Sequence, residues 1–291
     1  VLVKENMLIL YSKAKIMKTI IVPTDFSPVA LNATNYAADM AIAVDAEILL
    51  VNIYTIPVSY TEVPVALIST EEMKKASESE LETLKTSLEH ITSGKIKIRI
   101  ESRMGNTVDE LEDICNTAKP FVVIMGAKGK GGIENLLFGS TTLTAIRHLS
   151  WPVICVPPGK EYGTGIKKIG FACDFKEVKE STPVSLIKEI VSVFGAELHI
   201  LNVDYNNKDF RSETPEQTFK LHDLLKDIKP IYQFINHPDV EDGINEFAET
   251  NNIDMIIAIP KKQKLLEGIF KPSSTKQLIF QSHIPVMCVH E

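Results

Sequence analysis

The stretch Met125–Thr141, MGAKGKGGIENLLFGST, places Gly126, Gly129 and Gly139 in a fixed rhythm, with Ser140 and Thr141 directly after the last glycine. Glycines let backbone N–H groups come close to an anion and tolerate positive φ. Gly139-Ser140-Thr141 also opens a predicted helix, whose free N–H groups and dipole favour phosphate oxygens. The hydroxyls of Ser140 and Thr141 add donors, and Lys128 and Lys130 add positive charge. The segment is not a Walker A loop, because no GK[ST] follows a glycine at the required spacing. It is not GxGxxG either, because Glu134 stands where the third glycine would be. From these residues alone, phosphate binding and a plain flexible turn both stay open.

A second candidate lies far away in the chain. Asp25 follows an apolar run at 18–24, and Met125–Gly129 follows another at 121–126. Further strands are predicted at 47–53, 96–102 and 152–157. Most are continuous Val/Ile/Leu runs, which suits a parallel sheet buried on both faces. KIKIRIE at 95–101 alternates and reads as a more exposed edge strand. Helices fall between the strands. Ser27-Pro28 supplies an N-cap and a first-turn proline, Ser69 and Glu72 have capping-box spacing, and Thr107 with Glu110 repeats it. Such alternation predicts right-handed crossovers and a doubly wound sheet. Ligands of these sheets bind beyond the carboxyl ends of the strands, where strand order reverses. Asp25 and the glycine segment converge there. Asp25 also has a simpler role open to it, as a loop or capping residue.

The plan is written twice. KTIIVPTDFS at 18–27 resembles KKIGFACDFK at 167–176, and AEILLVNI at 46–53 resembles AELHILNV at 196–203. FVVIMGAK at 121–128 parallels DMIIAIPK at 254–261, and WPVICVPP at 151–158 parallels IPVMCVHE at 284–291. In the second copy Thr182-Pro183 and Thr214-Pro215 are expected to open helices. The reading is an N-terminal extension over 1–16, a first domain over 17–158, a Gly/Pro linker over 159–165 and a second domain over 166–291. Met17 is an alternative start. The apolar connection 54–68 could cover a ligand or simply pack as a loop.

Composition narrows the classes. The 291 residues carry a net charge of -7, are 44% hydrophobic and 24% charged, and include four cysteines. A broad basic surface for nucleic acid is not expected, nor a disulfide framework. Cys155 and Cys288 sit in apolar runs and read as buried free thiols. No metal-ligand spacing, signal peptide or membrane-length apolar run is seen. A cytoplasmic setting is the expectation.

The spacing G-x2-G-x9-G-[ST] of Gly126, Gly129, Gly139 and Ser140 resembles the nucleotide loop of the universal stress protein family. IIVPTDFSPVALNATNYAADMA at 20–41 and HLSWPVICVPP at 148–158 are similar to that family's opening strand and helix and its last strand. The resemblance is strong over 18–158 and weaker over 167–291. It implies an α/β fold of two tandem Rossmann-like domains. Each would be a five-stranded parallel sheet, order 3-2-1-4-5, with helices on both faces. It implies ATP as ligand, partly with bridging Mg²⁺. Asp25 would accept a hydrogen bond from the adenosine moiety. Ile48 and Met125 would line the adenine pocket, unless they are plain core. Gly126, Gly129, Gly139, Ser140 and Thr141 would hold the phosphates.

The second copy departs from that pattern. Setting Pro152 against Pro285 puts Ile259 at the place of Gly126, Lys262 at Gly129 and Pro272 at Gly139, while Ser273 keeps that of Ser140 and Asp174 that of Asp25. Pro272 has no N–H to offer, so this half is expected not to bind ATP. It would act as a structural partner, its last strand pairing with that of the first half in an intrachain pseudo-dimer. Binding another anion through Lys261, Lys262 and Lys264, or presenting a protein surface, are the alternatives. A homodimer also stays open. The leading function is an ATP-binding stress-response regulator acting on protein partners, with no catalytic residues and no protein metal ligands assigned. Slow ATP hydrolysis or autophosphorylation at Ser140 or Thr141 is the enzymatic alternative, and a ligand-independent interaction scaffold is the third.

Overall fold

The computed structural model describes residues 17–55, 69–127, 140–206, 210–260, 278–279 and 281–290. The extension 1–16, nearly all of the connection 54–68, Gly129, Gly139 and the lysines at 261, 262 and 264 lie outside the described residues.

The first half runs β1 (Lys18–Pro23), α1 (Pro28–Val44), β2 (Ala46–Tyr54), α2 (Thr70–Ile91), β3 (Ile98–Met104), α3 (Thr107–Ala118), β4 (Val122–Gly126), α4 (Ser140–His148) and β5 (Val153–Val156). The second runs β6 (Lys168–Ala172), α5 (Val178–Ser181), α6 (Val184–Phe194), β7 (Glu197–Val203), α7 (Thr214–Leu225), β8 (Ile231–Ile235), α8 (Val240–Thr250), β9 (Met255–Ala258) and β10 (Val286–Cys288).

Together they form one ten-stranded sheet, ordered β3-β2-β1-β4-β5-β10-β9-β6-β7-β8. Read inward from each outer edge, each half has the order 3-2-1-4-5, as the family resemblance implied. Within each half the pairings are parallel. The halves join where β5 and β10 pair antiparallel, with Val286 opposite Cys155 and Cys288 opposite Val153. The two last strands thus meet within the chain. Parallel strands need helical crossovers to return, and the helices divide between the two faces. Buried residues of α1, α2, α6 and α7 pack on one face, and those of α3, α4 and α8 on the other.

Local chemistry sets the helix starts. Ser27 caps α1, its Oγ accepting from Ala30 N at 3.2 Å. Ser69 and Glu72 form the expected capping box on α2. Three starts differ from expectation. Asn106, not Thr107, caps α3, accepting from the N–H groups of Val108 and Asp109; an Asn side chain reaches these donors as well as a Thr would. Glu110 is then free to lie 3.8 Å from Arg103. Thr182 is extended (φ -105, ψ 114), and α6 starts after Pro183, because a proline disfavours the helical region for the residue before it. Glu213 rather than Thr214 holds the N-cap position of α7, and Thr214 Oγ1 instead accepts from Arg211 N at 3.0 Å.

The linker is fastened at both ends. Asn32 Nδ2 donates to the carbonyls of Pro157 at 3.1 Å and Lys160 at 3.4 Å. Tyr162 packs edge-on against Tyr36 of α1, with centroids 5.3 Å apart. The carboxylate of Asp254 accepts from the N–H groups of Lys167 and Lys168 at 2.7 and 2.9 Å.

Candidate functional site

The site forms where the sheet changes direction. β1 lies between β2 and β4. The chain leaves β1 towards α1 on one face and leaves β4 towards α4 on the other. Opposite exits leave a crevice beyond the carboxyl ends of the two strands.

Asp25 stands on the β1 side of it. Its Oδ1 accepts from Ser27 N at 3.0 Å, and Thr24 Oγ1 accepts from Phe26 N at 3.0 Å. Phe26 takes φ 61, a left-handed value unusual for an aromatic residue. These bonds hold a tight turn with the Asp25 carboxylate exposed. One bond to Ser27 leaves most of a carboxylate's acceptor capacity unused. The capping role and a ligand-facing role are therefore compatible.

On the β4 side, the register of Ile21 with Val123 continues to set Thr24 level with Gly126. A Cβ on Gly126 would stand 2.5 Å from Val29 Cγ1 and 2.7 Å from Val29 O. Only a glycine allows this approach, so the end of β4 and the first turn of α1 touch. Thr142, buried in α4, donates its hydroxyl to Gly126 O at 3.2 Å. That bond draws the start of α4 towards the same place. Ser140 is the first residue of α4, and Thr141 follows it, half-buried. The first N–H groups of a helix have no intrahelical partner, and those of α4 begin near the crevice. Thr142 was not singled out from the sequence; its place after Ser140-Thr141 was the available signal.

Met125 is 6% exposed and belongs to the core on the α3/α4 face. Ile48 does not join it. Ile48 is fully buried near the start of β2 and belongs to the core on the α1/α2 face. Side chains alternate between faces along a strand, so Ile48 and Met125 lie on opposite sides of the sheet. The residue that shares Met125's face at the end of β2 is Ile53, half-buried against the same core. Since Pro23 pairs with Val51, continuing the register sets Asp25 level with Ile53. The sequence could have indicated Ile53 by its distance from the end of the run, but an apolar run buried on both faces hides which residue faces which side.

Below the Asp25 turn runs a chain of side chains that was also not foreseen. Asn52 Nδ2 donates to Thr24 O at 2.7 Å. Ser77 Oγ, from α2, donates to Asn52 Oδ1 at 2.7 Å and also lies 2.7 Å from Ser102 Oγ of β3.

The second half repeats the turn but has Ile259 where Gly126 stands in the first. Asp174 Oδ1 accepts from Lys176 N at 3.1 Å, Phe175 takes φ 51, and Asn202 Nδ2 donates to Cys173 O at 2.9 Å. The strand registers Ile20–Val122 and Ile169–Met255 confirm the alignment that puts Ile259 at Gly126's place. Ile259 is half-buried against the core. The first helix of this half is not continuous like α1 but split into α5 and α6 at Thr182-Pro183. Lys176, which stands where Ser27 does, places its ammonium 3.9 Å from the Asp174 carboxylate.

Among the described residues no group of three or more His, Cys, Asp or Glu side chains could hold a metal. None of the described helices is long and apolar enough to cross a membrane.

Comparison with known proteins follows the same division. The family model of the universal stress protein family matches residues 17–157 and again 165–290. Universal stress protein MJ0531 of Methanocaldococcus jannaschii is 32% identical over 149 residues, which is 50% of this chain and 84% of that protein. A universal stress protein from Archaeoglobus fulgidus DSM 4304 superposes with a TM-score of 0.70 at 18% identity, over 94% of this chain and 98% of its own. A universal stress protein described as putative, from Pseudomonas aeruginosa UCBPP-PA14, reaches 0.59 at 11% identity, over 94% of each chain. With the family matched on both halves, this chain belongs to the universal stress protein family, as a tandem member carrying two copies of its domain.

Proposed function

We propose that the first half binds ATP in the crevice between β1 and β4 and that the protein acts as a nucleotide-dependent regulator of protein partners. The observation that carries this is the contact of Gly126 with Val29. It brings the end of β4 against the first turn of α1, just past Asp25, at the switch point of the sheet. The G-x2-G-x9-G-[ST] spacing is intact only in this half. Asp25 would accept from the ribose or the adenine, and Ile53 and Met125 would flank the base. Gly129, Gly139, Ser140 and Thr141 would offer N–H and hydroxyl donors to the phosphates. Mg²⁺ would be held chiefly by phosphate oxygens. The second half would serve as the fixed partner across the β5–β10 seam, and a binding role rather than catalysis is proposed for the site. The small number of cysteines, four in 291 residues, suits a cytoplasmic setting.

The test is calorimetric titration of nucleotide-stripped protein with Mg-ATP. One site per chain, abolished by Gly139→Asp, is the expected result. Two equal sites would refute the assignment to one half. No binding would refute the nucleotide reading in favour of a ligand-independent scaffold.

A further inference from the structure

The turn that carries Asp25 is short and holds a non-glycine residue, Phe26, at positive φ. Such a conformation costs of order 1 kcal/mol or more and persists only where its surroundings over-determine it. The bonds within the turn come from Asp25 and Thr24 themselves. From outside, Val51 O accepts from Thr24 N at 2.8 Å, Phe26 packs against the core, and the remaining anchor is the Thr24 carbonyl. It is gripped by the buried amide of Asn52, whose oxygen is taken by the buried hydroxyl of Ser77. Ser77 in turn meets Ser102. The chain thus links the end of β1 to β2, α2 and β3 through a polar network that is buried at Asn52 and Ser77. Each bond is 2.7 Å long, and a fully satisfied network in a low dielectric is stiff.

The Asn-to-carbonyl bond recurs in the second half as Asn202 to Cys173. That bond therefore belongs to the fold. Ser102 lies level with Asn52, whereas Phe234 lies level with Asn202, so the link to Ser102 is particular to the half with the intact glycine spacing. We propose that Asn52 and Ser77 are positioning residues for nucleotide binding. They fix the amide of Asn52 so that Thr24, and through it the Asp25 carboxylate, is held in its binding geometry before ligand arrives. This rests on the nucleotide reading of the site, and neither residue is proposed to touch the ligand.

A double-mutant cycle with calorimetry tests it. Asn52→Ala and Ser77→Ala should each weaken Mg-ATP binding by about tenfold, the scale of one lost hydrogen bond at the site. In an Asp25→Ala background the same changes should add little, because the residue they position is gone. Ser77→Thr, which keeps the hydroxyl, should restore affinity to near that of the unaltered protein. Full additivity of Asn52→Ala with Asp25→Ala would overturn the proposal, since a general loss of stability acts whether or not Asp25 is present. Amide hydrogen exchange at Phe26 and Ser27 reads the positioning without any ligand. It should quicken in Asn52→Ala and Ser77→Ala, and unchanged protection at both amides would also overturn the proposal. If the unaltered protein binds no ATP, the nucleotide reading fails and the functional half of the proposal with it, while exchange still decides whether the network holds the turn.

Discussion

Gly126 and Val29 are in contact so close that no side chain fits between them: an added Cβ would meet the Val29 carbonyl oxygen at 2.7 Å and its Cγ1 at 2.5 Å. Gly126 is therefore required for packing as well as being suited to a ligand. Gly126→Ala should destabilise the protein by roughly 1–3 kcal/mol, as overpacking of a fitted contact does, with or without ATP. Urea denaturation of ligand-free protein measures this. Trimming the side chain in Gly126→Ala/Val29→Ala should recover only part of the loss, because the carbonyl remains in place. A ligand-free Gly126→Ala as stable as the parent would refute the contact.

The two aspartates offer a comparison inside one molecule. Asp25 and Asp174 occupy matching turns, but Asp174 has Lys176 beside it and Ile259 at the place of the β4 glycine. Asp25→Ala should weaken Mg-ATP binding by about tenfold. Asp174→Ala should leave it within about twofold, inside the ±0.3–0.5 kcal/mol expected of distant sites. Equal effects would mean that both halves contribute to one site.

Glu47 is buried at the opposite end of β2 from the crevice, accepting from Thr19 Oγ1 at 3.1 Å, from Lys97 Nζ at 3.0 Å and from Arg99. Burial by itself would raise its carboxyl, but the hydrogen bonds from Arg99 and Lys97 outweigh that and hold it below the ordinary range. A depressed folded value means stability that is complete above the unfolded value, about 4.3, and lost as pH falls through the folded one. Glu47→Gln should thus cost about 1–3 kcal/mol at neutral pH, and the difference from the parent should shrink in acid. Denaturation midpoints at neutral pH and near pH 3 check the sign. ATP affinity should not change.

The thiols should report on the seam. Cys155 and Cys288 are buried in the paired strands β5 and β10, Cys115 is buried on the inner side of α3, and Cys173 is half-buried. The Cys155 thiol is pushed up by its hydrogen bond with Cys288 and by burial, and the Cys115 thiol is pushed up to about 12 by burial and the Glu112 charge. Near pH 8 a thiol reagent should therefore label Cys173 first, and the buried three only on unfolding. Rapid labelling of Cys155 in folded protein would show that the seam opens.

The sequence alone determined the features that depend on neighbours along the chain. The two copies, the order of strands and helices, the Ser27 cap and the Ser69–Glu72 box follow from periodicity and from side chains reaching N–H groups two or three residues away. The burial of Cys155 and Cys288 follows from apolar runs. The glycine spacing marked one half as different from the other. The tertiary structure decided the rest. Ile48 and Ile53 lie in the same apolar strand, and with both faces buried nothing in that run says which face meets the crevice. The grip of Asn52 on Thr24 spans 28 residues and that of Ser77 on Asn52 spans 25, distances over which no local pattern carries information. The tightness that makes Gly126 a packing residue exists only once α1 lies across the end of β4. The pairing of the two last strands was expected, but its antiparallel sense and its register, Val286 opposite Cys155, came only from the joined sheets. Period and capping are short-range chemistry, whereas the faces, partners and clearances of the site are fixed only when separate segments are brought together.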